Sequence, residues 1–369
     1  MANRVWRCWK MRSLLGLLAV ATSAGAQSKI ELPSRLSCSK CRIERVLVAT
    51  LRDSGTTALL GGKGKRTTVA TDSKGRFYVS DADRTRIAVF GANGLLIRTI
   101  GREGDGPGEF RQITRITVTR GDTIRVYESV PPRESIFAPT HDFVRLRPAP
   151  RSMLSFAMLS DGRLVGNIVS GQPDLVGLPL HLTDSTGAIA LSFGSDDPVF
   201  RAGMQGLLNR SVTLDSDDAV YAAHSQAYKI ELWSLRSGKL LREYSRSVSW
   251  FKPRTQMPDI EKGIEPPPHT EDVFRAADGF LWMNIQRADR TFWFAIVAGG
   301  LHGKTVNDVN KYLDSTFEVV DPIGGRVLAS RRFDEPSYSM FRDGLVFSPS
   351  FGSNDEPRIK IWRLYLRSP

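Results

Sequence analysis

Short apolar runs alternate with tight polar turns along the chain, and the same hairpin pattern recurs at intervals of tens of residues. Its turns are centred on Gly75, Gly121, Gly162, Asp218, Gly279 and Gly344. A second hairpin follows each of the first five turns, as in IAVFGANGLLIRTI, whose Asn93-Gly94 dipeptide tolerates positive φ at both turn positions. Two hairpins form a four-stranded antiparallel sheet, so the repeat predicts the blades of a β-propeller rather than a helical solenoid.

The sixth unit supplies only three strands, because RIKIWRLYL runs almost to the end of the sequence and no partner follows it. A spare apolar strand, RIERVLVATLRD at residues 42–53, stands before the first unit. We expect this segment to pair as the outer strand of the last blade, which closes the ring. The alternative is a frayed N-terminal strand on a smaller fold. The predicted fold is therefore all-β: a six-bladed β-propeller with four-stranded antiparallel blades.

The order of basic, apolar and small residues at the start of the chain predicts a signal peptide at residues 1–26. The hairpin repeat then predicts a single propeller domain at residues 27–369. A basic start, the apolar core LLGLLAVA and the small residues Ala24-Gly25-Ala26 are typical of an export signal. The apolar core is too short to span a bilayer, and no Cys at the cleavage site could carry a lipid. We expect a periplasmic or secreted protein that is not transmembrane after signal removal. The blades are expected at about residues 67–113, 114–150, 153–198, 207–250, 271–336 and 338–369.

Residues 67–113 resemble an NHL-type repeat. The features that carry the resemblance are the turn at Gly75, the YVSDADRTRIAVF segment, the Asn93-Gly94 turn and the link GREGDGPGEF, which ends at Phe110. The later blades lack this glycine-rich link. The whole chain also resembles secreted bacterial six-bladed propellers that carry a Cys-x-x-Cys motif just after the signal peptide. This resemblance implies the same propeller fold.

Cys38 and Cys41 are the two cysteines of the expected mature chain. A zinc site needs a second pair of ligands, and a redox-active Cys-x-x-Cys normally opens a helix, whereas this motif precedes a strand-like segment. A local disulfide is typical of an oxidising compartment and is the structure we expect. Redox chemistry and metal binding remain as alternatives.

The formal net charge of +12 falls by four to +8 when residues 1–26 are removed. Such a balance can favour anionic surfaces, but the arginines are scattered along every blade and form no basic run. Export also argues against nucleic-acid binding, so no nucleic acid is expected as a partner. The partner is expected to be an unidentified protein, peptide or glycan, and the protein is expected to be a monomer.

The chain offers no familiar catalytic constellation. The five histidines are far apart in sequence, and neither a Gly-x-Ser-x-Gly elbow nor a complete P-loop is present. No cofactor, metal site or catalytic residue is therefore predicted. The alternative to a binding protein is a propeller enzyme of the lyase or lactonase type with a metal-assisted site on the central axis. Its only candidate ligands are His224 and His269 with a carboxylate.

Two insertions, residues 251–270 and 287–315, are expected to leave the propeller on one face, together with the shorter loops DADRTR, VPPRES, SGQPD and HSQAY. Long loops on a rigid scaffold commonly carry binding sites. The candidate binding residues on this face are Arg84, Arg133, Arg287, Arg290 and Trp293. The alternative is that the insertions merely cover the mouth of the channel. The predicted function is an exported, non-catalytic binding or scaffold propeller.

Overall fold

The computed structural model describes residues 28–52, 59–61, 67–151, 153–168, 173–175, 177–194, 209–253, 265–289 and 313–368. The predicted signal peptide lies outside these residues, as do most of both insertions. Six sheets follow one another along the chain and form a six-bladed β-propeller, which confirms the predicted fold. No helix of the described part is long and apolar enough to cross a membrane.

Each of the first three blades has four antiparallel strands in chain order from the axis outward. Their strands are β3 (Val69–Thr71), β4 (Phe77–Ser80), β5 (Ile87–Phe90) and β6 (Leu96–Ile100); β7 (Ile113–Val118), β8 (Ile124–Ser129), β9 (Pro132–Phe137) and β10 (Phe143–Pro148); and β11 (Met153–Met158), β12 (Leu164–Ile168), β13 (Leu180–Thr183) and β14 (Ile189–Phe193). A short 3-10 turn at Pro173–Leu175 lies between β12 and β13.

The other three blades follow the same order. Blade four contains β15 (Arg210–Ser216), β16 (Ala219–His224), β17 (Lys229–Ser234) and β18 (Leu240–Arg246); blade five contains β19 (His269–Arg275), β20 (Leu281–Ala288), β21 (Leu313–Asp321) and β22 (Arg326–Phe333); and blade six contains β23 (Tyr338–Phe341), β24 (Leu345–Phe351), β25 (Pro357–Arg367) and β2 (Arg42–Arg52).

The hydrophobic core lies between neighbouring blades. The two middle strands of a blade are apolar on both faces, and β4, β5 and β12 are buried along their whole length. One cluster joins blades one and two through Val89, Phe110 and Ile116. The outer strands β6 and β10 are largely exposed. Burial on both faces explains why the middle strands are continuous apolar runs rather than alternating ones.

Closure of the ring occurs as predicted. Strand β2 pairs antiparallel with β25, from Arg42 opposite Arg367 to Arg52 opposite Arg358. A β-bulge between Leu47 and Ala49 interrupts the register once. The last blade therefore combines one strand from the start of the described chain with three from its end.

The segment before β2 forms a strand that the sequence pattern did not predict. Strand β1 (Ser28–Leu32) pairs in parallel with β18 and adds a fifth strand to blade four. The guanidinium of Arg246 then donates hydrogen bonds to the carbonyl oxygens of Pro33 and Ser34, at 3.0 and 2.9 Å. The chain next passes blade five, where the Ser37 amide donates to Val327 O at 2.8 Å. The segment thus fastens blades four, five and six together.

Antiparallel blades separate two kinds of connection. Turns between first and second strands lie at one end of the propeller, where Gly75, Gly162 and Gly279 adopt positive φ. Links from second to third strands and from blade to blade lie at the other end, which we call the loop end. In blade one the loop end comprises residues 81–86 and 101–112.

Candidate binding site at the loop end of blades four and five

Arg84 and Arg133 lie at the loop end of blades one and two. Arg84 has a φ of 62°, and its carbonyl oxygen accepts a hydrogen bond from the Ile113 amide at 2.8 Å. Arg133 is buried at the start of β9 and forms an ion pair with Glu128, with Nε 2.6 Å from Oε2. Its remaining nitrogens donate to the carbonyl oxygens of Asp105 and Glu109, at 2.8 and 3.0 Å. Arg133 therefore holds the glycine-rich link against blade two.

Arg287 lies near the end of β20 in blade five, and its guanidinium carbon is 4.5 Å from the centroid of the Trp250 ring. Arg290 and Trp293 lie outside the described residues. Blades two and five face each other across a six-bladed ring, so Arg287 belongs to a different part of the loop end from Arg84 and Arg133. The five predicted residues thus do not form one cluster in the part of the chain that the structure describes.

A different set of side chains converges at the loop end of blade four. Arg210 begins β15, and its Cα lies opposite that of His224, which ends β16. His224 Nε2 lies 3.0 Å from Glu231 Oε1, without the alignment of a hydrogen bond. Lys229 Nζ lies 2.9 Å from the same oxygen, and Trp233 Nε1 donates to the other carboxylate oxygen at 3.1 Å. Glu231 is thus the centre of a buried polar cluster.

Burial and opposing charges set the protonation of this cluster. Burial and the positive charge of Arg210 lower the pKa of His224 to about 4. Burial alone would raise the pKa of Glu231, but His224, Lys229 and Arg210 together lower it to about 2. At neutral pH the imidazole is therefore neutral and the carboxylate is ionised.

The loop that follows His224 is fixed between two blades. The Ser225 amide donates to Asn209 O, and the Thr270 amide donates to Ser225 O, both at 2.9 Å. These bonds join the loop to the residues that lead into the inner strand of blade four and to the inner strand of blade five. Gln226, the next residue, is therefore held where the two inner strands begin.

Gln226 is 6% exposed, and neither its amide nitrogen nor its amide oxygen has a hydrogen-bond partner among the described residues. The Thr270 hydroxyl and Asn209 Oδ1 also lack partners there. A buried polar group without a partner costs about 1–3 kcal/mol. Other buried polar atoms of the described residues also lack partners, but here four of them lie on three residues that the backbone bonds of Ser225 bring together. This region is the candidate binding site.

Blade five contains another buried carboxylate, on its third strand from the axis. Asp314 begins β21 and accepts a hydrogen bond from Arg332 Nε at 2.6 Å, while Arg332 Nη2 donates to Ala288 O at the same distance. Burial, reinforced by the negative charge of Asp289, raises the pKa of Asp314 to about 6 despite the charge of Arg332. In the folded protein Asp314 therefore titrates at about pH 6.

The described residues contain no group of three or more His, Cys, Asp or Glu side chains that could hold a metal ion. The two histidines considered from sequence have different partners. His224 contacts Glu231, whereas His269 lies 3.8 Å from Glu271. They do not share a carboxylate in these contacts.

Sequence reasoning identified the HSQAY loop as part of this face but did not single out Gln226. The loop is a polar segment between two apolar strands, as are most propeller connections, so its composition carries no specific signal. What marks Gln226 is burial without a partner, and this property depends on Asn209 and Thr270, which are 17 and 44 positions away. No local pattern could reveal it.

The comparisons with known proteins agree with the fold. A family described as a 6-bladed beta-propeller, DUF5128, matches residues 67–160. A Bacteroides fragilis NCTC 9343 protein that is described as exported is 11% identical, with a TM-score of 0.55 over 92% of this chain and 100% of that one. A DUF4221 family member from Bacteroides vulgatus is 13% identical, with a TM-score of 0.60 over 89% and 99%. No curated protein matches the sequence.

Virginiamycin B lyase from Staphylococcus aureus aligns with 87% of this chain and 99% of its own, at 10% identity and a TM-score of 0.44. This likeness is too weak to support an argument about activity. The two Bacteroides proteins show the fold alone, because fold similarity at such low identity does not transfer function. The function has to be argued from the site.

Proposed function

We propose that the protein is an exported, non-catalytic binding or scaffold propeller that recognises a protein, peptide or glycan through its loop end. The contact is centred on blades four and five, with Gln226 and Thr270 as ligand-binding residues. Arg287 lies at the same end of these blades and would extend the contact, and the two predicted insertions are expected to extend it further. Arg84 would contact the partner from the opposite side of the ring, whereas the guanidinium of Arg133 is bound to Glu128 and to the glycine-rich link.

The observation that carries this proposal is the buried amide of Gln226, which has no partner among the described residues. A ligand that supplies both a donor and an acceptor would satisfy it and recover the desolvation cost. The backbone of Ser225, the residue before Gln226, is held by hydrogen bonds to Asn209 and Thr270, so the backbone of the loop is in place before the ligand arrives.

The charges favour a neutral polar ligand. The positive charges of Lys229 and Arg210 are balanced by Glu231 and Glu243, and His224 is neutral, so the cluster carries little excess charge. The unpaired atoms at Gln226, Thr270 and Asn209 belong to amide and hydroxyl groups. Peptide bonds and sugar hydroxyls both offer the complementary donors and acceptors. A strongly charged ligand would find no matched counter-ion among these three side chains.

The alternative is a lyase or lactonase with a metal-assisted site on the central axis, for which His224 and His269 with a carboxylate are the candidate ligands. Their contacts with two different carboxylates, Glu231 and Glu271, do not support a shared metal site. His224 would also be a weak general base at neutral pH, because burial and the charge of Arg210 lower its pKa to about 4.

Export is part of the proposal. The basic, apolar and small-residue order of residues 1–26 is that of an export signal. The Cys38–Cys41 disulfide is of the kind that persists in oxidising compartments. The resemblance of the whole chain to secreted bacterial six-bladed propellers that carry a Cys-x-x-Cys motif supports this part of the proposal.

The test is to screen the full exported chain against immobilised glycans and against a peptide array, and then to repeat the positive spots with two variants. Gln226→Met keeps the size of the side chain and removes both hydrogen-bonding atoms. We expect it to lose binding by about tenfold or more, because a satisfied buried amide contributes about 1–3 kcal/mol. Lys74→Ala, which changes an exposed residue at the opposite end, should bind like the unmodified protein.

Equal binding by the Gln226→Met variant would contradict a role for this site. Turnover of a bound compound that depends on His224 would favour the lyase alternative instead.

A further inference from the structure

The Cys38–Cys41 disulfide borders an open cavity of about 460 Å³ on the outside of the propeller. The cavity lies where the chain passes from β1 to β2 beside the outer strand of blade five. Lys40 and Arg326 line it together with both cysteines. The disulfide is therefore accessible from solvent and lies far from the loop-end site on the axis side of blades four and five.

The two sulfur atoms have different surroundings. The Cys41 backbone amide donates a hydrogen bond to Cys38 Sγ, with a nitrogen–sulfur distance of 3.1 Å. Cys41 instead packs against the hydrophobic cluster that includes Ile43 and Leu328. A hydrogen-bond donor stabilises a thiolate, whereas apolar surroundings destabilise one. Cys38 is thus the sulfur better suited to carry negative charge.

The charges around the cavity also favour a thiolate at Cys38. Lys40 is the neighbour of Cys41 in sequence and lines the cavity. Arg326 lines it as well, although its Nε also lies 3.0 Å from Asp321, which offsets part of its charge. Cations next to a cysteine lower the pKa of the thiol. The site therefore has a net positive environment for a thiolate at Cys38.

The disulfide is not the main attachment of this segment. It closes a loop with a sequence separation of only 3, so its effect on the unfolded chain is small. The segment is held independently by the pairing of β1 with β18, by the pairing of β2 with β25 and by the bond from Ser37 to Val327. Opening the disulfide should therefore leave the propeller folded.

We propose that Cys38–Cys41 is an exchangeable disulfide that accepts two electrons from a dithiol. A thiolate of the dithiol attacks Cys41 Sγ, forms a mixed disulfide with Cys41 and displaces Cys38 as the thiolate, the better leaving group of the two. The second sulfur of the dithiol, as a thiolate, then attacks the first dithiol sulfur in the mixed disulfide. Cys41 leaves and takes up a proton, the dithiol is oxidised to a disulfide, and the protein holds two reduced cysteines. This activity does not depend on the loop-end site.

The first test uses dithiothreitol on the full folded chain. We expect the disulfide to open at about millimolar dithiothreitol while circular dichroism and the unfolding transition stay nearly unchanged, as expected for an accessible disulfide in a short loop. Resistance to reduction until the chain unfolds would overturn the proposal.

The second test measures which sulfur reacts. The single thiol of Cys41→Ser should react with iodoacetamide with a midpoint below the ordinary thiol value of about 8.5, and about tenfold faster at pH 7 than the single thiol of Cys38→Ser. Lys40→Ala should slow the Cys38 thiol several-fold, whereas Lys239→Ala, an exposed lysine on blade four, should not. An ordinary midpoint that Lys40→Ala leaves unchanged would show that the disulfide is only structural.

Discussion

The loop end differs between blades one and two and blades four and five. In the first region Arg133 and Glu128 are buried, and their charged atoms are matched by one another and by backbone groups of the glycine-rich link. In the second region Gln226 is equally buried, yet its amide has no partner among the described residues. The same architecture thus carries a self-contained polar network on one side and an incomplete one on the other. A network that is complete without a ligand stabilises the fold, and an incomplete one is suited to binding.

The largest effect on stability is expected at the loop end of blades one and two, where the polar network is complete. Arg133→Ala should lower the free energy of unfolding by about 3–5 kcal/mol, because it leaves the buried Glu128 carboxylate without its ion partner and the link carbonyl oxygens without donors. Chemical denaturation measures this effect. Arg111→Ala, which changes a more exposed arginine immediately after the link, is the control and should cost less than about 1 kcal/mol. Similar losses for both variants would contradict the special role of the buried pair.

A smaller effect is expected from Asn167 at the loop end of blade three, whose amide is fully used. Asn167 Nδ2 donates to Pro179 O at 2.8 Å, and Asn167 Oδ1 accepts from the Arg210 amide at 3.3 Å. Asn167→Leu should therefore destabilise the protein by about 2 kcal/mol, since it leaves two buried backbone groups without partners. Thermal or urea unfolding tests this. An unchanged stability would mean that satisfied and unsatisfied amides at this end do not differ energetically.

The stability of the protein should depend on pH through Asp314 in blade five. Because folding raises the pKa of Asp314 from the ordinary value of 3.8 to about 6, the folded state binds the proton more tightly than the unfolded state. The contribution of this group is therefore most favourable below pH 4 and is lost as the pH rises to about 6. Asp314→Asn should remove this part of the dependence, so its stability relative to the unmodified protein should rise across that window. A constant difference between the two proteins from pH 4 to 7 would contradict the raised pKa.

The fold was largely predictable because propeller blades repeat. Turn glycines such as Gly75 and Gly162 mark each hairpin locally, and the spare strand at residues 42–53 could be matched to the incomplete sixth unit by counting. Strand β1 was not predicted, because in SKIEL only Ile30 and Leu32 are apolar and its partner, β18, is more than 200 positions away. The Cys38–Cys41 disulfide was predicted from spacing and compartment, and the structure confirms it.

The candidate site was much less predictable. Arg133 was selected from sequence as a loop residue, but it lies in β9 and its guanidinium serves the link, which no composition argument reveals. The position of Gln226 depends on hydrogen bonds between backbone groups of different blades, and the ionisation of Glu231 depends on the charges of Lys229 and Arg210 and on its contact with His224. Burial and satisfaction of polar groups are properties of the assembled ring, so they appear only in the structure.

We propose that the Gln226 amide serves ligand binding and not the fold. The free energy of unfolding of Gln226→Met, measured beside ligand binding by the same preparation, tests this directly. Because the amide in the free protein is buried without a partner, its removal should leave stability unchanged or raise it by about 1 kcal/mol, while binding at the loop end is lost. A loss of stability of 1 kcal/mol or more, as expected for Asn167→Leu, would show that the Gln226 amide serves the fold and would contradict the account.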